Sequence, residues 1–314
     1  MQLRVQSVTF EAEGILSFKL VDPVGRDLPK FEAGAHVDVE VPGGFTRQYS
    51  LCDGAWLRDH YRIAVLNVTN GRGGSQSLHT RVHAGDLIAV SEPRNLFPLA
   101  IEAKHSVLLA GGIGITPLLS MLEHLRRTEQ SYELHYCTQN VARTPFLRRL
   151  APEIKAGRAR LYHDGGDPRK GLNIAALLRP TTEGTHVYYC GPTGFMAAAR
   201  QAAEHWQPGT VHFEHFGPTP QPRTALNGAG NEIVLARSQR RIAIDCGQTI
   251  LQALRGAGVE CASSCEAGMC GTCRLNYSSG RIDHNDLLLS DEERASSVLI
   301  CCAQIAEGPV VIDL

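Results

Sequence analysis

The sequence predicts a chain of three domains: an all-β barrel, an α/β domain built on a parallel sheet, and a small α+β domain carrying cysteines. Three observations carry this. Residues 1 to about 100 alternate apolar and polar side chains in short, glycine-punctuated runs, the period of half-buried strands. From about 104 to 216, short apolar runs alternate with helical stretches, the pattern of strands joined by crossovers. Beyond a proline- and glycine-rich stretch lie most of the closely spaced cysteines. The expected boundaries are 1–102, 103–217, a linker at 218–230, and 231–314.

Ile15-Leu-Ser-Phe-Lys-Leu20, His36-Val-Asp-Val-Glu-Val41 and Tyr61-Arg-Ile-Ala-Val-Leu66 are period-two strands, and several of them suggest a small antiparallel barrel. In the second block, Val107-Leu-Leu-Ala110 reads as a buried strand ending in Gly111-Gly112. Pro117 to Leu125 has apolar residues at helical spacing, and Tyr132 to Tyr136 is a further strand. Thr185 to Tyr189 precedes Gly191-Pro192 and a helix near Phe195 to His205. Gly217 to Gly230 holds three prolines and three glycines in fourteen residues, the composition of a linker. The last block opens as a hairpin over Glu232 to Ile244, with a helix near Ile250 to Gly256.

Bulk composition narrows the classes. The chain has 314 residues, 43% of them hydrophobic and 20% charged, as in ordinary globular proteins. A net charge of −1 gives no basic surface for nucleic acid. No apolar run approaches the roughly 18 residues that span a bilayer. Met1-Gln-Leu-Arg-Val5 lacks the apolar block of a secretory signal, so no membrane association and a cytoplasmic location are expected. In that compartment clustered cysteines bind metal more often than they form disulfides.

Cys265-Glu-Ala-Gly-Met-Cys270-Gly-Thr-Cys273 has the spacing with which plant-type ferredoxins hold a 2Fe-2S cluster, together with a distant fourth cysteine. Cys301 and Cys302 both stand at the fourth place. Gly268 and Gly271 let the loop wrap tightly and turn amides toward sulfur, because glycine accepts positive φ. Four cysteines also suit zinc, but structural zinc usually takes two close pairs, whereas here three cluster and one is remote. The remaining cysteines, among them Cys52, Cys137, Cys190, Cys246 and Cys261, are expected as small buried residues.

Ala110-Gly-Gly-Ile-Gly-Ile-Thr-Pro117 lies between a strand and a helix. There Gly111, Gly112 and Gly114 let backbone approach a pyrophosphate and the helix start offers free amides. A plain structural turn fits the same residues, and this is not the G-x-G-x-x-G fingerprint. Cys190-Gly191-Pro192 ends a second strand, where Cys190 would border a nicotinamide or serve as a small buried residue. Arg47-Gln48-Tyr49-Ser50 ends a barrel strand. Its arginine can pair with phosphate, its tyrosine can pack on a ring and its serine can bond a ring nitrogen. Gly71-Arg-Gly73-Gly74-Ser75 resembles an anion nest, although each of these two motifs alone also fits an ordinary turn. A nicotinamide gives two electrons at once and a 2Fe-2S cluster takes one, so a flavin is needed between them.

In this order, these motifs resemble the phthalate dioxygenase reductase family, which includes vanillate O-demethylase reductases, and the likeness runs to Val311-Ile-Asp-Leu314. The resemblance implies an FMN-binding barrel, an NADH-binding α/β domain and a C-terminal plant-type ferredoxin of β-grasp fold. By that likeness Arg47, Tyr49 and Ser50 contact FMN, while Gly73, Gly74 and Ser75 hold its phosphate. Gly112 and Thr116 face the dinucleotide, Cys190 lies near the nicotinamide, Glu214 and Phe216 shield the flavin, and Cys301 is the fourth ligand. The implied partner is a Rieske non-haem iron oxygenase. A haem monooxygenase as acceptor and a redox-sensing protein are the alternatives. Two departures stand out: Cys302-Ala-Gln304 replaces the family's frequent Val-Ser-Arg, and Thr138-Gln-Asn140 lacks an arginine. No arginine pair for a 2′-phosphate follows, which favours NADH over NADPH.

Overall fold

The computed structural model describes residues 1–314 except 70, 72, 217–231, 246, 264–267, 269–270 and 287. The linker expected at 218–230, and Cys265 and Cys270, therefore lie outside the described residues. The chain forms two compact units, Met1–Phe216 and Gly217–Leu314. No helix among the described residues is long and apolar enough to cross a membrane.

The first unit contains two sheets. Strands β1 (Gln2–Ala12), β2 (Ile15–Val21), β3 (His36–Val41), β4 (Phe45–Ser50), β5 (Tyr61–Leu66) and β6 (Leu87–Val90) form an antiparallel sheet in the order β4-β3-β6-β1-β2-β5. Its edge strands β4 and β5 come into contact, so the sheet wraps one core of Leu3, Phe18, Leu20, Val37, Val39 and Ile63. Helix α1 (Gly74–Arg81) closes one end with Leu78, which is fully buried. No helical periodicity marks this segment, which is mostly polar, with Leu78 its one large apolar anchor.

The second sheet is parallel. Strands β7 (His105–Gly111), β8 (Ser131–Thr138), β9 (Ala159–His163), β10 (Thr185–Gly191) and β11 (Val211–His215) take the order β11-β10-β7-β8-β9. Helices α2 (Ile115–Arg127), α3 (Leu147–Lys155), α4 (Ile174–Leu178) and α5 (Thr193–Ala202) cover it. Helix α2 starts two residues before Pro117, because proline is tolerated in a first turn whose amides have no partner. The chain leaves β7 for β8 and β9 and then returns to β10 on the other side. The ends of β7 and β10 are thus the topological switch point, where open α/β sheets bind ligands.

Two features fuse these sheets into one unit. Ala12, Ala33, Cys52 and Phe97, from the segments around the antiparallel sheet, share a buried cluster with Leu118, Met121 and Leu122 of α2. Beside it lies a charged seam. Asp53, just past β4, takes bonds from His60 (2.8 Å), Arg62 (2.9 Å) and the Arg149 Nη1 of α3 (2.5 Å). The Nε of Arg149 reaches Glu123 of α2 at 3.3 Å. These bonds hold the Asp53 carboxyl well below the usual range despite its burial. Its contribution to stability is therefore present above about pH 4 and is lost as pH falls toward the depressed folded value.

The second unit is a mixed sheet, described by itself. Strands β12 (Glu232–Leu235), β13 (Arg241–Ala243), β14 (Arg274–Asp283), β15 (Ser297–Leu299) and β16 (Gln304–Ile312) take the order β13-β12-β16-β14-β15, with β12 and β16 parallel. Helix α6 (Ile250–Gly256) begins at a capping box made by Thr249 and Gln252, and α7 (Asp291–Arg294) at a second made by Ser290 and Glu293. Ile250 and Leu251 donate backbone N–H to Ala303 and Ile300, tying α6 to the chain on either side of Cys301 and Cys302.

Replacing Arg149 with methionine strips Asp53 and Glu123 of a shared cation. It should lower the unfolding free energy of the Met1–Phe216 unit by about 2 kcal/mol, read from denaturant melts of the protein. An unchanged midpoint would show the seam to be idle.

Candidate functional site

Arg47, Gln48, Tyr49 and Ser50 close β4 in the register Val39↔Arg47, Asp38↔Gln48, Val37↔Tyr49 and His36↔Ser50. The Arg47 guanidinium lies over the Phe45 ring, 5.2 Å from its centroid, and its side chain fills the space beside Gly74. A Cβ added at Gly74 would come within 2.7 Å of Arg47 Nε. Gly73 has φ +81° and starts α1, whose first amides have no side-chain cap among the described residues. Ser75 Oγ accepts a bond from Val68 N–H at 3.1 Å. The Arg47 side chain thus packs beside a helix start without a side-chain cap, and a guanidinium next to free amides is a donor set that suits the phosphate of FMN. Half-buried Tyr49 has its phenol pushed up by burial, so it stays neutral beside Arg47.

At the switch point, two glycine turns interlock backbone to backbone. A Cβ on Gly114 would stand 2.2 Å from the Cys190 carbonyl oxygen, and one on Gly191 would stand 2.7 Å from Phe195 Cδ1 and 3.0 Å from Gly111 Cα. Gly111 meets the Pro192 ring in the same way, at 2.8 Å. Gly112 has φ +53° and open space where a Cβ would be, with its carbonyl held by the Tyr136 hydroxyl at 3.0 Å. Helices α2 and α5 both start here without a side-chain cap, α5 with Pro192 at its N-cap. Two uncapped helix starts beside bare glycine backbone suit a pyrophosphate. Thr116 is buried and donates its hydroxyl to Ile113 O at 3.0 Å, so this hydroxyl is used within the turn.

The two sheets meet where these turns end. Ser50, buried, donates to Glu214 Oε2 of β11 at 3.1 Å. Glu214 is the register partner of Cys190 on β10. Burial raises the Glu214 carboxyl to about 7, against the lowering effect of the Ser50 bond. The Cys190 thiol is fully buried, and burial with Glu214 nearby pushes it far above the ordinary thiol range. It is a neutral group lining the base of the site, not a thiolate. Phe216, just past β11, is exposed. The structure thus joins Ser50, Glu214 and Cys190, expected from the sequence, and adds His36, which sequence reasoning missed. His36 is buried, its Nε2 lies 3.2 Å from the Gln48 amide nitrogen, and its Nδ1 lies 4.0 Å from Glu214 Oε1. A signal existed. His36 shares its strand face with Asp38 and Glu40, which lie toward solvent, and a histidine opening that face is the odd member.

In the second unit, Cys273 precedes β14, and Cys301 and Cys302 follow β15; all three are buried. Gly268 and Gly271 have φ +71° and +74°. A Cβ on Gly268 would stand 2.7 Å from Cys302 Sγ and 2.9 Å from Asp286 Cα, so the Gly268 backbone rests directly on these two residues. Cys302 donates its thiol to Leu299 O at 3.4 Å, which gives it a packing role beside Gly268. Asp286 accepts bonds from Leu288 and Leu289 N–H and faces Arg294 at 3.4 Å, which fixes the residue that Gly268 rests on. A buried thiol donor set on positive-φ glycine backbone suits an iron–sulfur cluster. Of the remaining cysteines, Cys52 is buried and Cys137 and Cys261 are half-buried.

A 2Fe-2S iron-sulfur cluster binding domain matches residues 233–306. Over its full length the chain is 43% identical to the tert-butanol monooxygenase / tert-amyl alcohol desaturase reductase subunit of Aquincola tertiaricarbonis, covering 96% of it. It is 40% identical to the phthalate dioxygenase reductase of Burkholderia cepacia, again over its full length and 97% of that protein. The chain belongs to the phthalate dioxygenase reductase family. A solved phthalate dioxygenase reductase structure superposes with a TM-score of 0.82 at 40% identity, over 100% of this chain and 98% of that one. Members of this family are oxygenase reductases, and this chain is an oxidoreductase of that type with FMN, NADH and a 2Fe-2S cluster as its cofactors.

Replacing Gly114 with alanine forces its methyl into the Cys190 carbonyl, and backbone cannot yield as a flexible side chain does. The cost should be about 2 kcal/mol or more in stability, with weakened NADH binding, read by thermal melts and by the KM for NADH. Gly112→Ala, with open space at its Cβ but a positive φ, should cost about 1 kcal/mol.

Proposed function

We propose that the chain carries electrons from NADH to a Rieske-type non-haem iron oxygenase, and that its residues divide this work as follows. Arg47, with the α1 start at Gly73, Gly74 and Ser75, holds the FMN phosphate. Tyr49 packs on the ring system, and Gln48 and Ser50 bond its edge. Gly111, Gly112 and Gly114 admit the dinucleotide backbone to the starts of α2 and α5, and Gly191 and Pro192 shape the opposite wall. Thr116 stiffens the first turn through its bond to Ile113. Cys190 leaves room at the floor for a nicotinamide ring, and Phe216 covers the site from outside. Cys265, Cys270, Cys273 and Cys301 ligate the cluster, with Cys302 packed beneath. Bound FMN accepts two electrons from NADH and releases them singly, and the 2Fe-2S cluster accepts one at a time.

The observation that carries this reading is the Ser50–Glu214 bond. It places the last residue of the proposed flavin strand against a strand beside the switch point, so flavin edge and nicotinamide have one place to meet. Exclusion of water from that contact follows from its burial. Past β8, Arg143 is engaged by Gln139 Oε1 at 2.7 Å and faces Glu13 at 3.6 Å, so it is not a bare guanidinium awaiting a 2′-phosphate. The Rieske acceptor is supported by the full-length likeness to reductases named for dioxygenases and monooxygenases. The small-molecule substrate then binds the oxygenase, and a cytoplasmic location suits a protein that draws on NADH.

Cys270→Ser should abolish NADH-dependent cytochrome c reduction while NADH still bleaches the flavin to wild-type amplitude. Cytochrome c reduction at the wild-type rate in that variant would overturn the order of carriers. For the acceptor, purified Rieske oxygenases and haem monooxygenases mixed with this reductase and NADH should give substrate turnover only with the Rieske class. Turnover confined to the haem class would sink that assignment.

A further inference from the structure

His36 is used by none of the roles above, yet it is buried and its backbone is paired on both sides. Its backbone N–H donates to Arg94 O at 2.8 Å and its carbonyl accepts from Arg94 N–H at 2.9 Å, and its strand partner on the other side is Ser50. Its ring is oriented by chemistry. With the Gln48 amide assigned nitrogen-first, 3.2 Å from Nε2, that nitrogen donates and Nε2 accepts, which assigns the ring proton to Nδ1. Burial and the Arg94 charge, against a smaller opposing pull from Asp38, hold the imidazole down to about 4, so it is neutral at neutral pH. Nδ1 is buried with no hydrogen-bond partner among the described residues. The acceptor it faces is Glu214 Oε1, at 4.0 Å. That is too long for a hydrogen bond but well within range for an N–H dipole to favour the carboxylate in a dry site. Glu214 Oε2 is held by Ser50. The groups around Glu214 are thus Ser50 of β4, His36 of β3 and the neutral Cys190 thiol of β10, and none of them carries a charge.

We propose that His36 is a positioning residue for Glu214: its neutral ring, with the Nδ1–H dipole 4.0 Å from Oε1, orients that carboxylate against Ser50 and biases the pH at which it ionises. The inference rests on the reading of Ser50 and Glu214 as the meeting place of flavin and nicotinamide. No bond is made or broken by His36. It holds its proton on Nδ1 through the reaction and acts only through the carboxylate.

The test is a pair of substitutions in the full holoprotein. His36→Gln keeps an amide near Gln48 but removes the donor at the Nδ1 position. His36→Asn restores a donor there and lacks the Nε2 end. The first readout is the 13C carboxyl titration of Glu214 by NMR in the oxidised protein, assigned by its loss in Glu214→Gln. The second is the pH profile of flavin reduction by NADH in stopped flow. In His36→Gln, the Glu214 midpoint should rise by about half a pH unit, the size expected for loss of one N–H dipole beside a buried carboxylate. The kinetic profile should move with it while the KM for NADH stays near wild type. His36→Asn should return both most of the way. A wild-type carboxyl midpoint in His36→Gln overturns the proposal, as does a shift of equal size in His36→Asn. If Glu214→Gln leaves the kinetic profile unchanged while the carboxyl midpoint still moves in His36→Gln, the His36 contact stands and the reading of Glu214 as a reaction-site residue falls.

Discussion

The charged seam at Asp53, with the apolar cluster beside it, is the constraint on which the first unit depends. A barrel and an α/β layer each bury their own core and would be free to move if joined only by a connecting segment. Here Arg149 of α3 bonds Asp53 from the barrel and Glu123 from α2 at once. Phe97 and Cys52 share a buried cluster with α2. The position of Ser50, three residues before Asp53, is set against the ends of β10 and β11 as a result. A hydrogen bond across two sheets, such as Ser50 to Glu214, needs both partners held to within a few tenths of an ångström.

Electrostatics follows from that closure. Among the described groups, no cation accompanies Glu214 into its buried position, and its carboxyl titrates near neutrality. Asp53, equally buried, is surrounded by Arg62, Arg149 and His60 and stays ionised. The chain thus holds two buried carboxyls of opposite character: one committed to charge as a structural tie, one poised between charged and neutral against Ser50. Partners, not burial, make the difference.

Much of this was legible in the sequence because its motifs are backbone statements. Gly111 to Pro117 and Cys190 to Pro192 report a place where chains approach too closely for a Cβ, and the structure shows what each glycine avoids. The helix at Ile250 to Gly256 was readable from its apolar spacing, with Thr249 and Gln252 flanking its start. Helix α1 was not readable, since a single buried leucine leaves no periodicity. His36, Asp53 and Arg149 were hidden for another reason. The partner of His36 is Glu214, far along the chain, and Asp53 and Arg149 are 96 positions apart, and no local pattern carries such a pairing. The choice between Cys301 and Cys302 came from family register, and the Cys302 thiol bonded to Leu299 O now gives that neighbour a physical role of its own.

The chain converts paired electrons from NADH to single electrons, so the flavin must be reduced ahead of the 2Fe-2S cluster. The most direct measurement is anaerobic stopped flow of the holoprotein with one equivalent of NADH, following flavin and iron–sulfur absorption bands separately and freezing samples for electron paramagnetic resonance. Loss of the flavin band should come first, with the reduced-cluster signal growing afterwards at the expense of the reduced flavin. A cluster signal that appears before any flavin bleaching, or an iron–sulfur band that stays oxidised throughout, would contradict it.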